Sequence, residues 1–483
     1  MDNVNPNQPQ TTANKRNRGF VFVQIVFSII FIGMIVYFSV FQITKKETYI
    51  TNTHNPRLDL YAEHVQRGNI MSADGKVLAT TKLTSGKNES RYYPYAALFS
   101  HAVGFASNGK SGIENQFNFS LLESHTNPFS QAINAVKNKK NPGDTVVTTL
   151  DTSIQQRASD ALGDRNGAVV VLEVKTGKII AMVSKPVFNP NTIESKWNSI
   201  VKDKESSVLL NRATQGLYPP GSIFKVITTL EYMKEYPKEY KNFSIDCKGS
   251  LTVNDAKIHN YGYEAHGRED LESAFAHSCN VSFATIGLKL HPKKYTALAN
   301  KLFFNTNLPT SLQTAKSKFS LSSNDSTARI MQTAIGQGTT MVSPIHMAMI
   351  AACVDNDGVV MKPYIVNKIT SVSGTTVKNF HSDKYGSVIS RSDAEYLQTL
   401  MKGVVTKGTG SKLNNQSYTA YGKTGSAEYN EKGDSHGWFI GFGKKKGYSD
   451  IAIAVIVEKG NSGSQSAVPI AKQVFDRYFN SKN

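Results

Sequence analysis

The chain has 483 residues, enough for two or three domains and at least one large hydrophobic core. Its 40% hydrophobic and 19% charged residues are typical of a globular protein and exclude a wholly disordered one. The formal net charge of +18 would suit nucleic acid, anionic lipid or an acidic cell-wall polymer. Because the basic residues are scattered and no zinc-finger spacing or similar signature occurs, we predict no nucleic-acid partner.

The N-terminus predicts a membrane anchor. Residues 1–18 are polar and are expected to form a disordered cytoplasmic tail. Residues 19–43 contain the uncharged run "FVFVQIVFSIIFIGMIVYFSVFQI", and a helix of about 20 apolar residues spans a bilayer. The run is too long for a signal peptide, and no small-residue cleavage site follows it. Three basic residues precede it and two follow, which favours a cytoplasmic N-terminus and an extracytoplasmic remainder.

A small mixed domain, here called the pedestal, is predicted over residues 44–147. The segment 67–80 alternates around Asp74-Gly75, as a β-hairpin does. Two short helices are expected further on, in "SGIENQFNFSLL" and "NPFSQAINAV". The lysines that follow, in "VKNKKNPGD", are interpreted as a solvated loop.

Residues 148–483 predict a single α+β domain. Two strands, "GAVVVLEV" and "GKIIAMVS", are joined by a hairpin turn, and helices are expected to dominate from Ser222 to about Ala352. Strands return near the C-terminus in "YTAYGKTGSAEY", "HGWFIGFG" and "DIAIAVIVE", followed by a last helix in "AVPIAKQVFDRYF". Strands at both ends of the domain with helices between them indicate an antiparallel sheet flanked by helices.

The cysteines give no sign of a metal centre. Cys247, Cys279 and Cys353 are too few and too scattered for a disulfide scaffold or a metal site, and no pair has CxxC spacing. At most one disulfide is possible, and the spacing does not indicate which. We expect neither a metal nor a cofactor.

The stretch "YPPGSIFKVITTLEY" places Ser222 and Lys225 one helical turn apart, behind a proline pair that suits a helix start. Taken alone, it favours an ordinary first-turn serine and a solvated lysine. A serine becomes a nucleophile when a neighbouring base removes its proton, and lysine can be that base if its pKa is lowered. Whether Ser222 is a nucleophile with Lys225 as its base therefore depends on which further catalytic residues the chain supplies.

Two further segments complete a known signature. "AHSCNVSFA" contains Ser278 and Asn280 in an S-x-N arrangement, and "AYGKTGSAE" contains Lys423, Thr424 and Gly425 in a predicted strand. S-x-x-K, S-x-N and K-T-G, in this order, mark the serine β-lactamases and penicillin-binding proteins. Each triplet alone is weak evidence, but the three together are strong. We therefore place a serine acyl-transfer site on these residues.

With these motifs, the chain resembles the class B penicillin-binding proteins, the membrane-anchored D,D-transpeptidases that cross-link peptidoglycan. The resemblance covers nearly the whole chain, although Ser72 and Ala73 replace the family's usual Asp-Arg. The short pedestal is similar to that of a compact subgroup. Further matching segments are "GKSGIENQFN", "AIGQGTTMVSPIHMA" and "HGWFIGF".

The resemblance implies roles for the catalytic residues. Ser222 would attack the penultimate D-Ala carbonyl of a stem peptide, with Lys225 as the base. Lys423 would help to keep Lys225 neutral through repulsion between like charges. Ser278 would pass a proton to the leaving D-Ala. β-Lactams would acylate the same serine.

The remaining motif residues are expected to bind substrate. Asn280 would hydrogen-bond the substrate amide, and Thr424 with Ser426 would hold the terminal carboxylate at the strand that contains Gly425. The oxyanion hole would be formed by the backbone N–H groups of Ser222 and Ser426. The implied partners are peptidoglycan stem peptides, the cytoplasmic membrane and a polytopic glycosyltransferase of the shape, elongation, division and sporulation family.

Alternatives with the same motifs remain open. A D,D-carboxypeptidase would share every catalytic residue. A β-lactamase would also need a deacylating glutamate, which the sequence does not identify, and the anchor and pedestal argue against a soluble one. A β-lactam sensor or an inactive scaffold is opposed by the missing multi-helix signalling region and by the intact Ser222, Lys225 and Lys423. The pedestal is too short for an additional glycosyltransferase domain.

Overall fold

The structure is a computed structural model that describes residues 13–50, 57–83, 89–203, 205–430 and 433–481; the side chains of residues 13–17, 42–50 and 57–60 are outside this description. The chain forms two compact units, one up to Leu60 and one over Tyr61–Asn483.

Within the described residues, the α-helices are α1 (Ala13–Ile50), α2 (Arg57–His64), α3 (Ser100–Val103), α4 (Gly112–Gln116), α5 (Asn118–Leu122), α6 (Pro128–Val136), α7 (Thr152–Leu162), α8 (Ile193–Lys202), α9 (Lys225–Glu235), α10 (Leu271–His277), α11 (Asn280–Lys289), α12 (Pro292–Lys301), α13 (Thr327–Ala334), α14 (Pro344–Asp355), α15 (Arg391–Lys407) and α16 (Gly463–Phe479). The strands are β1 (Val65–Gln66), β2 (Ile70–Met71), β3 (Val77–Leu83), β4 (Glu89–Tyr92), β5 (Asn141–Pro142), β6 (Thr145–Thr148), β7 (Gly167–Glu173), β8 (Ile179–Lys185), β9 (Ser244–Cys247), β10 (Ser250–Val253), β11 (Ala256–His259), β12 (Gly267–Asp270), β13 (Val359–Met361), β14 (Val366–Thr370), β15 (Thr376–Asn379), β16 (Lys384–Ser387), β17 (Thr419–Glu428), β18 (Ser435–Lys444) and β19 (Ile451–Val457).

Helix α1 contains the predicted anchor. Its segment Arg18–Phe41 is apolar and long enough to cross a membrane, and it fits a single-pass anchor. The helix begins at Ala13, so residues 13–18 of the tail predicted to be disordered are helical. Once a helix is nucleated, each added residue gains one hydrogen bond, which explains this extension. Residues 1–12 of the predicted tail lie outside the described residues.

A six-stranded sheet with the order β15-β14-β6-β2-β3-β4 forms the pedestal side of the second unit. The predicted hairpin is confirmed, since β2 pairs antiparallel with β3 and Ile70 faces Ala79. The two short pedestal helices are also confirmed, as α4 with α5 and as α6. Strands β14 and β15 come from residues 366–379, which the sequence assigned to the second domain, so this sheet joins distant parts of the chain.

The predicted antiparallel sheet of the larger domain is confirmed. Its order is β17-β18-β19-β7-β8, and every neighbouring pair is antiparallel. Both faces are buried, because alternate residues enter two separate cores: Val169 packs with Phe475 of α16 on one face, and Val170 packs with the core that contains Ile345 of α14 on the other. Strand β19, "IAIAVIV", is therefore apolar throughout.

The helical interpretation of residues 222–352 is correct for α9–α14 but missed four short strands. These form two ribbons between α9 and α10, with β9 paired to β12 and β10 paired to β11. They are four residues each and partly exposed, so they lack a long apolar period. The ribbons pack beside the N-terminus of α11, where the S-x-N motif lies.

Candidate active site

Ser222 lies on a tight turn that leads into α9. Residues Gly221–Phe224 form a 3₁₀ turn, and α9 continues from Lys225. Gly221 has a φ of 55°, and a side chain there would collide with the carbonyl oxygen of Ser426 on β17. Glycine is therefore required for the turn to pack against the strand. Within the described part of the chain, the Oγ of the half-buried Ser222 makes no hydrogen bond.

Strand β17 packs closely against this turn. A Cβ on Gly425 would lie 3.0 Å from the carbonyl oxygen of Pro220 and 3.2 Å from the backbone nitrogen of Ile223. The indole N–H of Trp438, on the neighbouring strand β18, donates to the carbonyl oxygen of Pro219 at 3.0 Å. Two neighbouring strands of the sheet, β17 and β18, thus hold the serine turn in place.

Lys225 is completely buried, contrary to the solvated lysine that its own stretch favours. Its Nζ donates to the carbonyl oxygen of Ser278 at 2.6 Å and to Oδ1 of Asn280 at 2.7 Å. A longer contact of 3.3 Å reaches Oγ of Ser278. The first helical turn of α9 and the S-x-N segment therefore form one hydrogen-bonded site.

Lys423 is also completely buried and reaches the same serine. It lies on β17 opposite Ile440 of β18. Its Nζ donates to Oγ of Ser278 at 2.8 Å and to the carbonyl oxygen of Thr424 at 3.2 Å. The hydroxyl of Ser278 thus lies between the two lysine amines.

The two amines have lowered pKa values because water is excluded from both. Burial lowers the pKa of Lys225 to about 7, opposed by interaction with the Cys279 thiol. Burial, and then repulsion from Lys225, lowers the pKa of Lys423 well below its usual range. Burial is thus the main cause of the lowered pKa of both lysines, and repulsion between them adds to the lowering at Lys423. Two adjacent ammonium groups are costly in a dry site, so this environment favours a neutral amine at neutral pH.

The S-x-N segment connects α10 and α11. Ser278 has a left-handed backbone, with φ 62° and ψ 39°, and it ends α10. Asn280 begins α11, and its Nδ2 donates to the carbonyl oxygen of His259 at 2.9 Å. The amide of Asn280 is therefore held on one side by a ribbon strand and on the other by Lys225.

Asn260 positions this segment, and sequence reasoning missed it. Its side chain is buried, and its Oδ1 accepts from the backbone N–H of Asn280 at 2.8 Å and of Val281 at 3.3 Å. Its Nδ2 donates to the carbonyl oxygen of Glu264 at 2.7 Å and to Sγ of Cys247 at 3.1 Å. No sequence signal reveals Asn260, because it acts across 20 residues through the unpredicted ribbons.

We expect Asn260→Ala to slow acylation by a β-lactam about 10-fold to 100-fold, because a misplaced catalytic segment costs rate steeply. Asp151→Ala is the matched control. Asp151 caps α7 with bonds to Ser153 and Ile154, and Ile154 belongs to the core on the opposite face of the sheet. Loss of the Asp151 cap should cost about 1 kcal/mol of stability without moving the S-x-N segment. Equal acylation rates in the two variants would show that Asn260 contributes only stability.

The C-terminal half of strand β17, which contains the K-T-G motif, lies on the remaining side of the candidate active site. Thr424 is buried, and its Oγ1 hydrogen-bonds Oγ1 of Thr409 at 2.5 Å. Ser426 is half-buried, two residues further along β17. Gly425 lies between them, against the serine turn. Thr409 is a further contact of the site that the sequence did not indicate.

Two of the three cysteines lie close together in space, although they are far apart in sequence. Cys247 and Cys279 are both free and buried, and their Sγ atoms lie 3.3 Å apart beside the S-x-N segment. The thiol of Cys279 packs against the N-terminus of α11, where Ser282 donates its backbone N–H at 3.4 Å. The two residues are 32 positions apart, and the ribbons bring them together.

Comparison with known proteins gives the family and the fold. Residues 167–476 match the Penicillin binding protein transpeptidase domain family, and residues 67–146 match the Penicillin binding protein A dimerisation domain family. The chain is 30% identical over 481 residues to the peptidoglycan D,D-transpeptidase PbpA of Mycolicibacterium smegmatis, with 93% of this chain and 96% of that protein covered.

Two solved structures show the same fold. One is penicillin-binding protein A from M. tuberculosis as a ceftriaxone acyl-enzyme complex, with a TM-score of 0.78, 28% identity, and coverage of 87% of this chain and 99% of that one. The other is the D,D-transpeptidase domain of a peptidoglycan glycosyltransferase from Eggerthella lenta, with a TM-score of 0.78, 27% identity, and coverage of 86% and 99%. By sequence and by fold, this chain belongs to the penicillin-binding protein transpeptidase family.

Proposed function

We propose that this protein is a peptidoglycan D,D-transpeptidase that cross-links stem peptides ending in D-Ala-D-Ala by serine acyl transfer, and that β-lactams acylate the same serine. The observation that carries the proposal is the pair of buried lysines, Lys225 and Lys423, whose amines meet at the Ser278 hydroxyl. Lys225 itself lies three residues after Ser222, at the start of α9. The names of the relatives support the same reaction.

In the proposed acylation step, Ser222 Oγ attacks the carbonyl of the penultimate D-Ala, and the neutral amine of Lys225 takes the hydroxyl proton. The lysine can accept it because burial lowers its pKa to about 7. The developing oxyanion would be stabilised by the backbone N–H groups of Ser222 and Ser426, which the packing of β17 against the serine turn supports. The C–N bond then breaks, and Ser278 delivers a proton to the departing D-Ala amine while the Lys225 ammonium reprotonates Ser278, so the proton taken from Ser222 leaves with D-Ala.

Substrate binding is assigned to the other motif residues. Asn280 would bind the amide of the stem peptide, since its own amide is already oriented by hydrogen bonds to Lys225 and His259. Thr424 and Ser426 would hold the terminal carboxylate beside Gly425. Lys423 would provide positive potential there whenever it is protonated.

In the second half of the reaction, the amine of another stem peptide attacks the acyl-enzyme. The ester bond to Ser222 breaks, a new amide bond forms, and the proton of the amine returns to the serine oxygen through the lysine site. Exclusion of water during this step would favour transfer of the acyl group to the amine over hydrolysis of the acyl-enzyme.

The test uses the full-length protein with pentapeptide-bearing glycan strands, and mass spectrometry counts released D-Ala and cross-linked peptides. We expect one cross-link for most D-Ala molecules released, and neither product from Ser222→Ala. Release of D-Ala without cross-links would replace the transpeptidase assignment with a carboxypeptidase. Absence of both products in the native protein would favour a non-catalytic role.

For location, we propose that residues 19–43 are an uncleaved single-pass anchor, that residues 1–18 are cytoplasmic, and that the pedestal (44–147) and transpeptidase domain (148–483) are extracytoplasmic. The apolar helix and the greater number of basic residues before it support this orientation. A polytopic glycosyltransferase of the shape or division family would supply the glycan strands, because cross-linking consumes newly polymerised chains.

A further inference from the structure

Helix α6 of the pedestal has an apolar face that is not packed against the protein. None of its nine residues is buried. Phe129 is 74% exposed, Ile133 37% and Val136 88%. Because these residues are four and three positions apart, they lie on the same side of the helix.

Polar contacts hold α6 in place. Asn127 caps the helix by accepting the backbone N–H of Phe129 at 2.7 Å, and Pro128 occupies the first turn. Gln131 donates to the carbonyl oxygen of Thr126 at 2.8 Å, and Asn134 donates to Oδ1 of Asn141 at 3.0 Å. The helix is thus attached by its polar side, and its apolar side points away from the pedestal.

Positive charge adjoins this apolar face. Helix α6 itself has no charged residue, and Lys137 and Lys139 follow it directly and are exposed. In the part of the chain that the structure describes, no carboxylate lies within ion-pair distance of either lysine. The neighbouring Lys140 is paired with Glu89 at 3.1 Å. Phe129, Ile133, Val136, Lys137 and Lys139 are hereafter called the α6 surface.

The C-terminal end of α6 lies where the chain enters the second unit. Lys140 donates to the carbonyl oxygen of Ala62 at 2.6 Å, and Val65 pairs with Asn141 in a short parallel bridge. Ala62 is 21 residues after the end of the apolar segment at Phe41. The residues directly after the α6 surface therefore contact the first residues of the second unit, Ala62 and Val65, which follow the apolar segment closely in sequence.

We propose that the α6 surface docks on the bilayer, with its apolar side chains at the headgroup–acyl boundary and its two free lysines on anionic phospholipid headgroups. An exposed apolar helix face with adjoining lysines is typical of helices that lie in a membrane interface. A second copy of this chain is a poorer occupant, because a symmetric contact would bring the unpaired lysines of both copies together. The net charge of +18 also favours an anionic partner.

The test uses the full-length protein in nanodiscs, one copy per disc, of neutral phosphatidylcholine alone or with phosphatidylglycerol. Val136→Cys is labelled with an environment-sensitive dye, and quenching by spin-labelled lipid reports docking. Val372→Cys is the matched control, because Val372 is an apolar residue that is 56% exposed on the turn after β14. The three native cysteines are buried, so labelling is selective.

We expect strong quenching at position 136 in phosphatidylglycerol discs, weak quenching in neutral discs, and none at position 372. Lys137→Gln with Lys139→Gln should weaken docking roughly 30-fold, since each lysine near an anionic surface contributes about 5-fold. Labelling of Ser222 by penicillin should be unchanged in these variants, which separates docking from the proposed catalysis.

Equal quenching in neutral and anionic discs would overturn the headgroup assignment. Absence of quenching at position 136 would overturn docking altogether. In that case, energy transfer between two copies in larger discs would assign the α6 surface to a second copy.

Discussion

Replacing Lys225 with arginine should lower the second-order rate of acylation by a fluorescent penicillin about 100-fold or more, the usual scale for a lost general base. Arginine keeps a positive charge, but its guanidinium stays protonated at any working pH. The variant therefore cannot accept the Ser222 proton. Circular dichroism must first show that the protein is folded, since Lys225 is buried and holds both Ser278 and Asn280.

Lys423→Arg is the matched variant, because Lys423 is equally buried and shares the Ser278 hydroxyl. Here the proposed role requires positive potential and no proton acceptance, so part of the acylation rate should remain, with weaker apparent binding. If Lys225→Arg acylates near the native rate while Lys423→Arg is inactive, the base is Lys423. The lowered pKa of both amines makes that exchange chemically feasible.

The acylation rate should also rise with pH through about 7. The pKa of Lys225 is lowered to about 7 by burial, and only its neutral amine can take the serine proton. Below the pKa, each pH unit should reduce the rate tenfold, so the rate at pH 5 should be about 100-fold below the alkaline plateau.

The measurement is the acylation rate between pH 5 and 9 under conditions where the protein stays folded. The Lys225→Arg variant serves as the control, because its residual rate should lose this dependence. A native profile that is flat over the whole range, or one that falls with rising pH, would contradict a neutral Lys225 as the base.

Local signals explain what the sequence could predict. Strands β7, β8 and β19 are mostly apolar, β18 and the final helix have apolar patterns of their own, and β17 contains the K-T-G motif, so each of these elements is predictable from its own residues. The three motifs identify the family because their order is specific even where each triplet is weak. The final helix begins at Gly463, four residues before the predicted start, as helix ends are weakly encoded.

Long-range packing explains what the sequence could not predict. Strands β14 and β15 complete a sheet whose other members lie more than 200 residues earlier, and they are too short to carry a strong pattern. The role of Asn260 depends on the small ribbons that bring it to the start of α11. The same ribbons also bring Cys247 close to Cys279.

The burial of both lysines is the least predictable feature. Lysine side chains are rarely buried without a partner, so Lys225 in isolation indicates a solvated residue. The structure instead surrounds Lys225 and Lys423 with carbonyl, amide and hydroxyl oxygens. The lowered pKa values depend on this enclosure, which no local sequence pattern shows.

The most direct test of the central claim is the site of covalent labelling by a β-lactam. The full-length protein is incubated with penicillin, digested and mapped by mass spectrometry. We predict one acyl adduct per chain, on Ser222 in the peptide that contains "GSIFK", and none in the Ser222→Ala variant. An adduct on another residue, or no adduct at saturating penicillin in the folded native protein, would contradict the assignment of Ser222 as the nucleophile.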